Sequence, residues 1–204
     1  METGIQGVVN LRMIPDEALV QMFVDGASEP FEELIRRYQG KIVNFIYRST
    51  GDYQRSEELA QEAFMRVFRN GKHYDVRYRF STWVYTISKN LASNELRDRS
   101  RNPDSFHIRE ADWPGEGTFV VEQAHSRSGE PDRVLTNREV HEKLAEAIAK
   151  LEPDQRMALV MKEYDGMTYA QIADVFDASP GTIKSWLHRS KRQLARWLKE
   201  SEVL

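Results

Sequence analysis

The chain has 204 residues, 40% hydrophobic and 30% charged, enough apolar material for a core in one large or two small domains and too much for wholesale disorder. Cysteine is absent, which excludes disulfides, thiolate metal sites, iron–sulfur clusters and a cysteine nucleophile, and fits a reducing cytoplasm. No run of 18 apolar residues occurs, and Met1–Pro15 lacks the apolar centre of a signal peptide, so a cytoplasmic protein with no membrane insertion of its own is expected.

Net charge is −3, but the charges are segregated. Asp16–Glu62 holds ten acids and five bases, whereas Arg66–Lys89 holds six bases and one acid. Ala178–Lys199 holds six bases and no acid. Two positive islands in an acidic chain offer two places where a polyanion can touch.

In chain order, a short helix over Asp16–Asp25 comes first. Phe31, Leu34, Ile35, Tyr38, Ile42, Phe45 and Ile46 then follow the helical i, i+3, i+4, i+7 stripe, ended by Gly51. The next helix is predicted from near Ser56, with Leu59, Ala60, Ala63, Phe64, Val67 and Phe68 inward and Asn70-Gly71 as its stop. Ser81 or Thr82 is the expected cap of a third long helix striped by Trp83, Val84, Ile87, Leu91 and Leu96. Residues 101–131 carry three prolines, three glycines and several serines with no sustained period, and read as a flexible linker. Beyond it, Leu135, Val140, Leu144, Ile148 and Leu151 mark a helix. Pro153 opens another that runs to about Tyr164, before Gly166, and two more span Thr168–Phe176 and Pro180 to about Lys199. Period-two strand patterns are missing. The expected fold is all-α: two small helical domains, 16–100 and 132–200, joined by the linker 101–131.

The last two helices carry the most specific pattern. Ile172, Ala173 and Phe176 face inward, Asp177-Ala178 makes a tight turn, and Ser179 caps a helix with Pro180 in its first turn. Ala173 is small where two helices cross, and Ile183 fills the gap between them. This is the helix-turn-helix arrangement. Asp177 stands where many such turns have glycine, and aspartate tolerates left-handed angles better than most residues. The outer face of the second helix offers Thr182, Lys184, Ser185, His188, Arg189 and Arg192, suited to a DNA major groove; a solvated basic helix is the plainer reading.

Upstream, Lys72–Leu91 interleaves Tyr74, Tyr78, Phe80, Trp83 and Tyr85 with Arg77, Arg79 and Lys89, the mixture that stacks unpaired bases and neutralises their phosphates. Trp83 also lies on the core stripe. Asn90 can present both a donor and an acceptor to a base edge. Glu58, Gln61, Glu62 and Arg66 form a polar stripe opposite the core face, either a docking surface or a solvated flank.

Three stretches resemble the sigma factor family of bacterial RNA polymerase, in its extracytoplasmic-function (ECF) group. They are Glu58-Leu-Ala-Gln-Glu-Ala-Phe with Met65-Arg-Val-Phe-Arg, then Phe80-Ser-Thr-Trp-Val-Tyr-Thr-Ile-Ser-Lys-Asn-Leu-Ala, and the helix-turn-helix with Ser179-Pro-Gly-Thr-Ile-Lys-Ser. Glu58 replaces the family's usual aspartate, and Lys184 and Trp186 sit where many relatives have arginine. The resemblance implies that Glu58, Gln61, Glu62, Phe64 and Arg66 bind core RNA polymerase. It implies that Tyr74, Arg77, Tyr78, Arg79, Trp83, Lys89 and Asn90 open the downstream (−10) promoter element and hold a flipped base, and that the recognition helix Pro180–Arg192 reads the upstream (−35) element. An anti-sigma factor is implied as a further partner.

The competing reading is a two-domain helix-turn-helix regulator that acts without polymerase, which has no need of the aromatic–basic loop. No HExxH, phosphate loop or nucleophile elbow is present, and the five histidines are scattered, so neither catalytic residues, nor a cofactor, nor a metal is expected.

Overall fold

The computed structural model describes residues 10–100 and 137–200; the expected linker, 101–131, lies outside them. Among the described residues there are eight α-helices and two short 3-10 turns, with no strand. The helices are α1 (Asp16–Val24), α2 (Glu29–Thr50), α3 (Tyr53–Asn70) and α4 (Phe80–Ser100) in the first half, then α5 (Asn137–Ala149), α6 (Pro153–Glu163), α7 (Tyr169–Phe176) and α8 (Pro180–Glu200) in the second.

Local chemistry explains the boundaries. Gly51 ends α2 in the left-handed region at φ 79°, its N–H donating to the Tyr47 carbonyl at 2.7 Å. The expected start of α3 near Ser56 is corrected to Tyr53, because the Asp52 carboxylate accepts the Arg55 N–H at 2.9 Å and caps three residues earlier. Ser81 and Thr82 do not cap α4. The helix already begins at Phe80, whose N–H is directed at the Glu17 carboxylate 3.4 Å away.

In the first half α2 is central and packs on α1, α3 and α4. Leu34, Ile42, Phe45 and Ile46 meet the buried Leu19 of α1, Ala63 and Val67 of α3, and Phe80 and Val84 of α4 in one core. Phe68 departs from the expected core stripe: it is 53% exposed, with the rings of Phe23 and Phe31 each 5.3 Å away. The chain before α1 is pinned to α2 by Arg37. Its guanidinium donates to the Leu11 and Ile14 carbonyls (2.8 and 2.9 Å), to Asp16 (2.6 Å) and to buried Glu33 (2.7 Å). Hydrogen bonds from Arg36 and Arg37 hold the Glu33 carboxyl down at about 2.

In the second half α8 packs on α5, α6 and α7, and Ile172, Ala173, Ile183 and Leu187 are buried where α7 and α8 cross. The two halves also meet. α6 lies against α2 and α4, and α7 against α4, so the apolar core is continuous. At its centre is a cation. Arg156 is buried and donates to the Ala149 and Leu151 carbonyls at the end of α5 (2.5 and 3.0 Å) and to the Ser49 carbonyl near the end of α2 (2.8 Å). Helix C-terminal carbonyls lack intrahelical donors and carry partial negative charge, so one guanidinium satisfies two helix ends. Replacing Arg156 by methionine leaves these carbonyls buried without that donor. We expect a loss of about 3 kcal/mol of stability in urea unfolding, with the helical circular dichroism of the native protein retained.

Candidate nucleic-acid interface

The turn between α7 and α8 aims the second helix. A reciprocal capping box starts α7: the Gln171 N–H donates to Thr168 Oγ1 (3.2 Å), and the Thr168 N–H donates to Gln171 Oε1 (2.9 Å). Thr168-x-x-Gln171 is the sequence signature of such a box, and it refines the start expected at Thr168. Asp177 ends α7 at φ 50°, alone among described non-glycine residues in having a positive φ. The Ala178 N–H returns to the Ala173 carbonyl at 3.0 Å, closing the helix end. Ser179 Oγ then accepts the Thr182 N–H at 3.0 Å and caps α8, as the sequence predicts.

Once α8 is so aimed, Ile183 and Leu187 point inward and Lys184, Ser185, His188, Arg189 and Arg192 point to solvent, with Thr182 at the rim. Trp186 is not on that outer face. Its ring packs edge-on against Phe176 at 5.5 Å. Lys191 is tied to Glu163 at 2.9 Å, whereas Lys184, Arg189 and Arg192 have no ion pair among the described residues. Among the described residues the face therefore keeps three cations outside any ion pair.

The second basic island forms a different shape. Residues Val76–Arg79 bulge from the chain before α4 and face Pro15–Glu17, Arg37 and Tyr38 across an open cleft of about 530 Å³. Val76, Arg77, Tyr78 and Arg79 are exposed. Tyr74 is half-buried, packs on Trp83 at 5.1 Å, and donates its hydroxyl to the Tyr78 carbonyl at 2.6 Å, bracing the loop. Burial pushes the Tyr74 hydroxyl up to about 12, so it stays a donor. Trp83 leans edge-on to Phe80 at 6.2 Å, a wall of the core as well as a flank of the loop. Arg77 is bound to Asp75 at 2.5 Å, and Arg79 has no ion pair among the described residues. Asn90 is exposed, while Lys89 is half-covered, its Nζ 5.3 Å from the Phe176 ring of α7.

The carboxylates of this cleft had no signal in the periodicity of the sequence. Asp16 accepts from both Arg37 and Tyr38, and Glu17 faces the first N–H of α4, so only the fold brings them beside the loop.

On α3, Glu58, Gln61, Glu62 and Arg66 lie exposed on one face with Met65. Glu62 pairs with Arg66 at 2.5 Å, and Glu58 with Arg55 at 2.7 Å. Phe64 is 5% exposed and belongs to the core beneath this face.

Residues 34–102 match the family model for sigma-70 region 2, and residues 141–194 match that for sigma-70 region 4. Over 184 residues the chain is 30% identical to the RNA polymerase sigma-H factor of Pseudomonas aeruginosa, covering 90% of this chain and 93% of that one. The chain belongs to the sigma-70 family. It is also 28% identical to the ECF RNA polymerase sigma factor SigW of Bacillus subtilis (86% of this chain, 92% of that one) and to the ECF RNA polymerase sigma-E factor of Escherichia coli (89% and 93%). These likenesses place it in the ECF group, whose members direct RNA polymerase to promoters. The fold recurs in solved structures. CnrH, in complex with the cytosolic domain of CnrY, aligns with a TM-score of 0.65 at 19% identity over 91% of this chain and 97% of that one. The sigma factor RpoE of Bartonella quintana, in complex with the anti-sigma factor NepR, aligns with a TM-score of 0.60 at 20% identity over 84% and 98%.

In this region of the sigma factor, Asp177 holds the left-handed conformation without being glycine. Asp177→Val puts a β-branched side chain at φ 50° and should cost about 1–2 kcal/mol, whereas Asp177→Gly should be neutral or stabilising. Thermal unfolding of the two variants measures the difference.

Proposed function

We propose that this ECF sigma factor divides promoter recognition between its two halves and its two positive islands. Residues 16–100 hold the core-polymerase surface and take the unpaired −10 strand; residues 132–200 read the −35 duplex. The observation that carries this reading is the contrast in shape between the two islands. An exposed basic helix face fits a major groove. A cleft roofed by an exposed tyrosine and arginines, and floored by carboxylates and Tyr38, fits one splayed nucleotide. Tyr78, Arg79 and Asn90 contact the strand directly; Tyr74 and Trp83 shape the loop; Arg77 and Lys89 supply charge. Thr182, Lys184, Ser185, His188, Arg189 and Arg192 contact the −35 element.

Docking on core polymerase falls to Glu58, Gln61, Glu62 and Arg66, with Phe64 holding the helix from beneath. An anti-sigma factor is a partner in this reading, supported by the complexes in which its structural neighbours were solved. The protein works in the cytoplasm and carries out no chemistry of its own, with neither metal nor cofactor. No helix among the described residues is long and apolar enough to cross a membrane.

The surfaces predict separable defects. Gln61→Ala with Glu62→Ala removes two exposed side chains, so stability should change by about 0.5 kcal/mol or less while core-polymerase affinity falls. Normal affinity in a folded variant moves the docking surface elsewhere. Arg189→Ala should weaken closed-complex formation on the −35 element. Tyr78→Ala or Asn90→Ala should leave closed binding nearly intact and reduce permanganate reactivity of unpaired thymines at the −10 element. A stacked base is worth about 1–3 kcal/mol, so the opening defect of Tyr78→Ala should be about fivefold to 150-fold. An Asn90 variant that opens normally would remove that residue from the strand path.

A further inference from the structure

The contact between the halves, through which the apolar core is continuous, also encloses buried polar groups. The α6–α7 turn, Tyr164 to Met167, sits against α2 and α4. The Tyr164 ring stacks on the Arg48 guanidinium of α2, 3.6 Å from its centroid. Beside it Asp165 points into the contact, its Oδ2 closed off from solvent. The Tyr85 hydroxyl of α4 is equally closed off from solvent and acts on that carboxyl. From α2, Lys41 and Arg48 add the positive charges that act on it. A carboxyl inside a permanent core is costly. At a contact between two regions that match family models separately, it is a group that regains water when they part.

We propose that the docked arrangement is a closed state of this sigma factor and that Asp165 sets the balance between closed and open, clasping the halves when protonated and releasing them when ionised. Closure also covers Lys89 with Phe176 and brings α7 over α4; that masking of the −10 face rests on the strand contacts proposed above.

The linkage has a definite sign. Burial pushes the docked Asp165 carboxyl up to about 7, against smaller lowering effects from Tyr85, Lys41 and Arg48. In the open state the carboxyl meets water and returns to an ordinary value near 4. The closed state therefore binds the proton more tightly. Closure is strongest below about pH 4, weakens as pH rises from about 4 to 7, and is level above 7. Across that window the closed-to-open ratio changes by up to roughly a thousandfold.

Because the chain has no cysteine, two can be introduced for dyes, at exposed Gln39 in α2 and exposed Arg196 in α8. Energy transfer between them, read on the full chain from pH 5 to 8, reports closure without polymerase or DNA. The native Asp165 chain should lose transfer as pH rises. Asp165→Asn, neutral at every pH, should keep high transfer throughout. Asp165→Lys, which sets a third cation beside Lys41 and Arg48, should give low transfer throughout; its position in a turn leaves each half free to fold. A pH-independent native signal, or an Asp165→Asn titration like the native one, overturns the clasp; the second outcome would assign the effect to another group such as histidine. With a single-stranded −10 oligonucleotide, Asp165→Lys should bind several-fold more tightly than Asp165→Asn at pH 7. Equal affinities would overturn the masking and leave the energy-transfer result to judge the clasp.

Discussion

The Arg156 guanidinium is the interaction on which the arrangement depends. A helix end buried in protein leaves carbonyls that water cannot reach, and two such ends, of α2 and α5, converge here. A lysine offers a point charge; the planar fork of arginine reaches several carbonyls at once. Burial lowers the Arg156 pKa to about 10, which still leaves it charged at neutral pH. The same side chain thus completes the second half's own fold and ties it to the first, so the packing of α6 is coupled to what α2 does. Around this point the contact remains mixed, with Tyr164 on Arg48, Ser93 by Met157, and Lys89 near Phe176. Mixed polar contacts of this sort characterise domains that can move apart, whereas permanent interfaces resemble an apolar core cut in two.

Much of this was legible in the sequence because helical stripes and caps are local. The stripe of α2, the glycine stop at Gly51, the Pro153 start and the Ser179 cap all depend on residues within a turn or two of one another. The left-handed Asp177 was legible for the same reason, from side-chain chemistry at one position. The errors are instructive. Ser56 was a plausible start for α3, but Asp52 is a stronger acceptor and was already in place, while Glu17, 63 residues upstream of Phe80, took the capping position expected of Ser81 or Thr82. Phe68 follows the helical period of the core yet emerges at the edge of the bundle, where α1 supplies only one covering ring, Phe23, and α2 only Phe31. Periodicity identifies a face; it does not say where the neighbouring helices end.

The candidate site divides the same way. The basic face of α8 could be read because every member lies on one helix, and the exposed stripe of α3 likewise. The cleft beside Val76–Arg79 could not be read, since its floor comes from α1 and α2, brought there by Arg37 and Tyr38. Nor could Arg156 or Asp165 be singled out: each is an ordinary polar residue until the other half of the chain buries it. Long-range burial of single polar groups leaves no pattern in one sequence.

Size gives the contact its significance. The second half, residues 137–200, is small enough that a domain of its length buries only about 60% of the surface its unfolded chain exposes. Docking on α2 and α4 therefore adds stability where it is scarce. An all-apolar contact would add the most and would also be the hardest to undo, fixing the basic face of α8 relative to the cleft near α4. A contact that also encloses Arg48, Tyr85 and Asp165 adds less because desolvating these groups offsets part of the apolar gain. The clasp proposed for Asp165 draws on this offset: a single proton there shifts the balance between docked and undocked halves. On the proposal of a closed state, the basic face of α8 and the cleft near α4 are held together in one state and separated in another by the same small set of side chains.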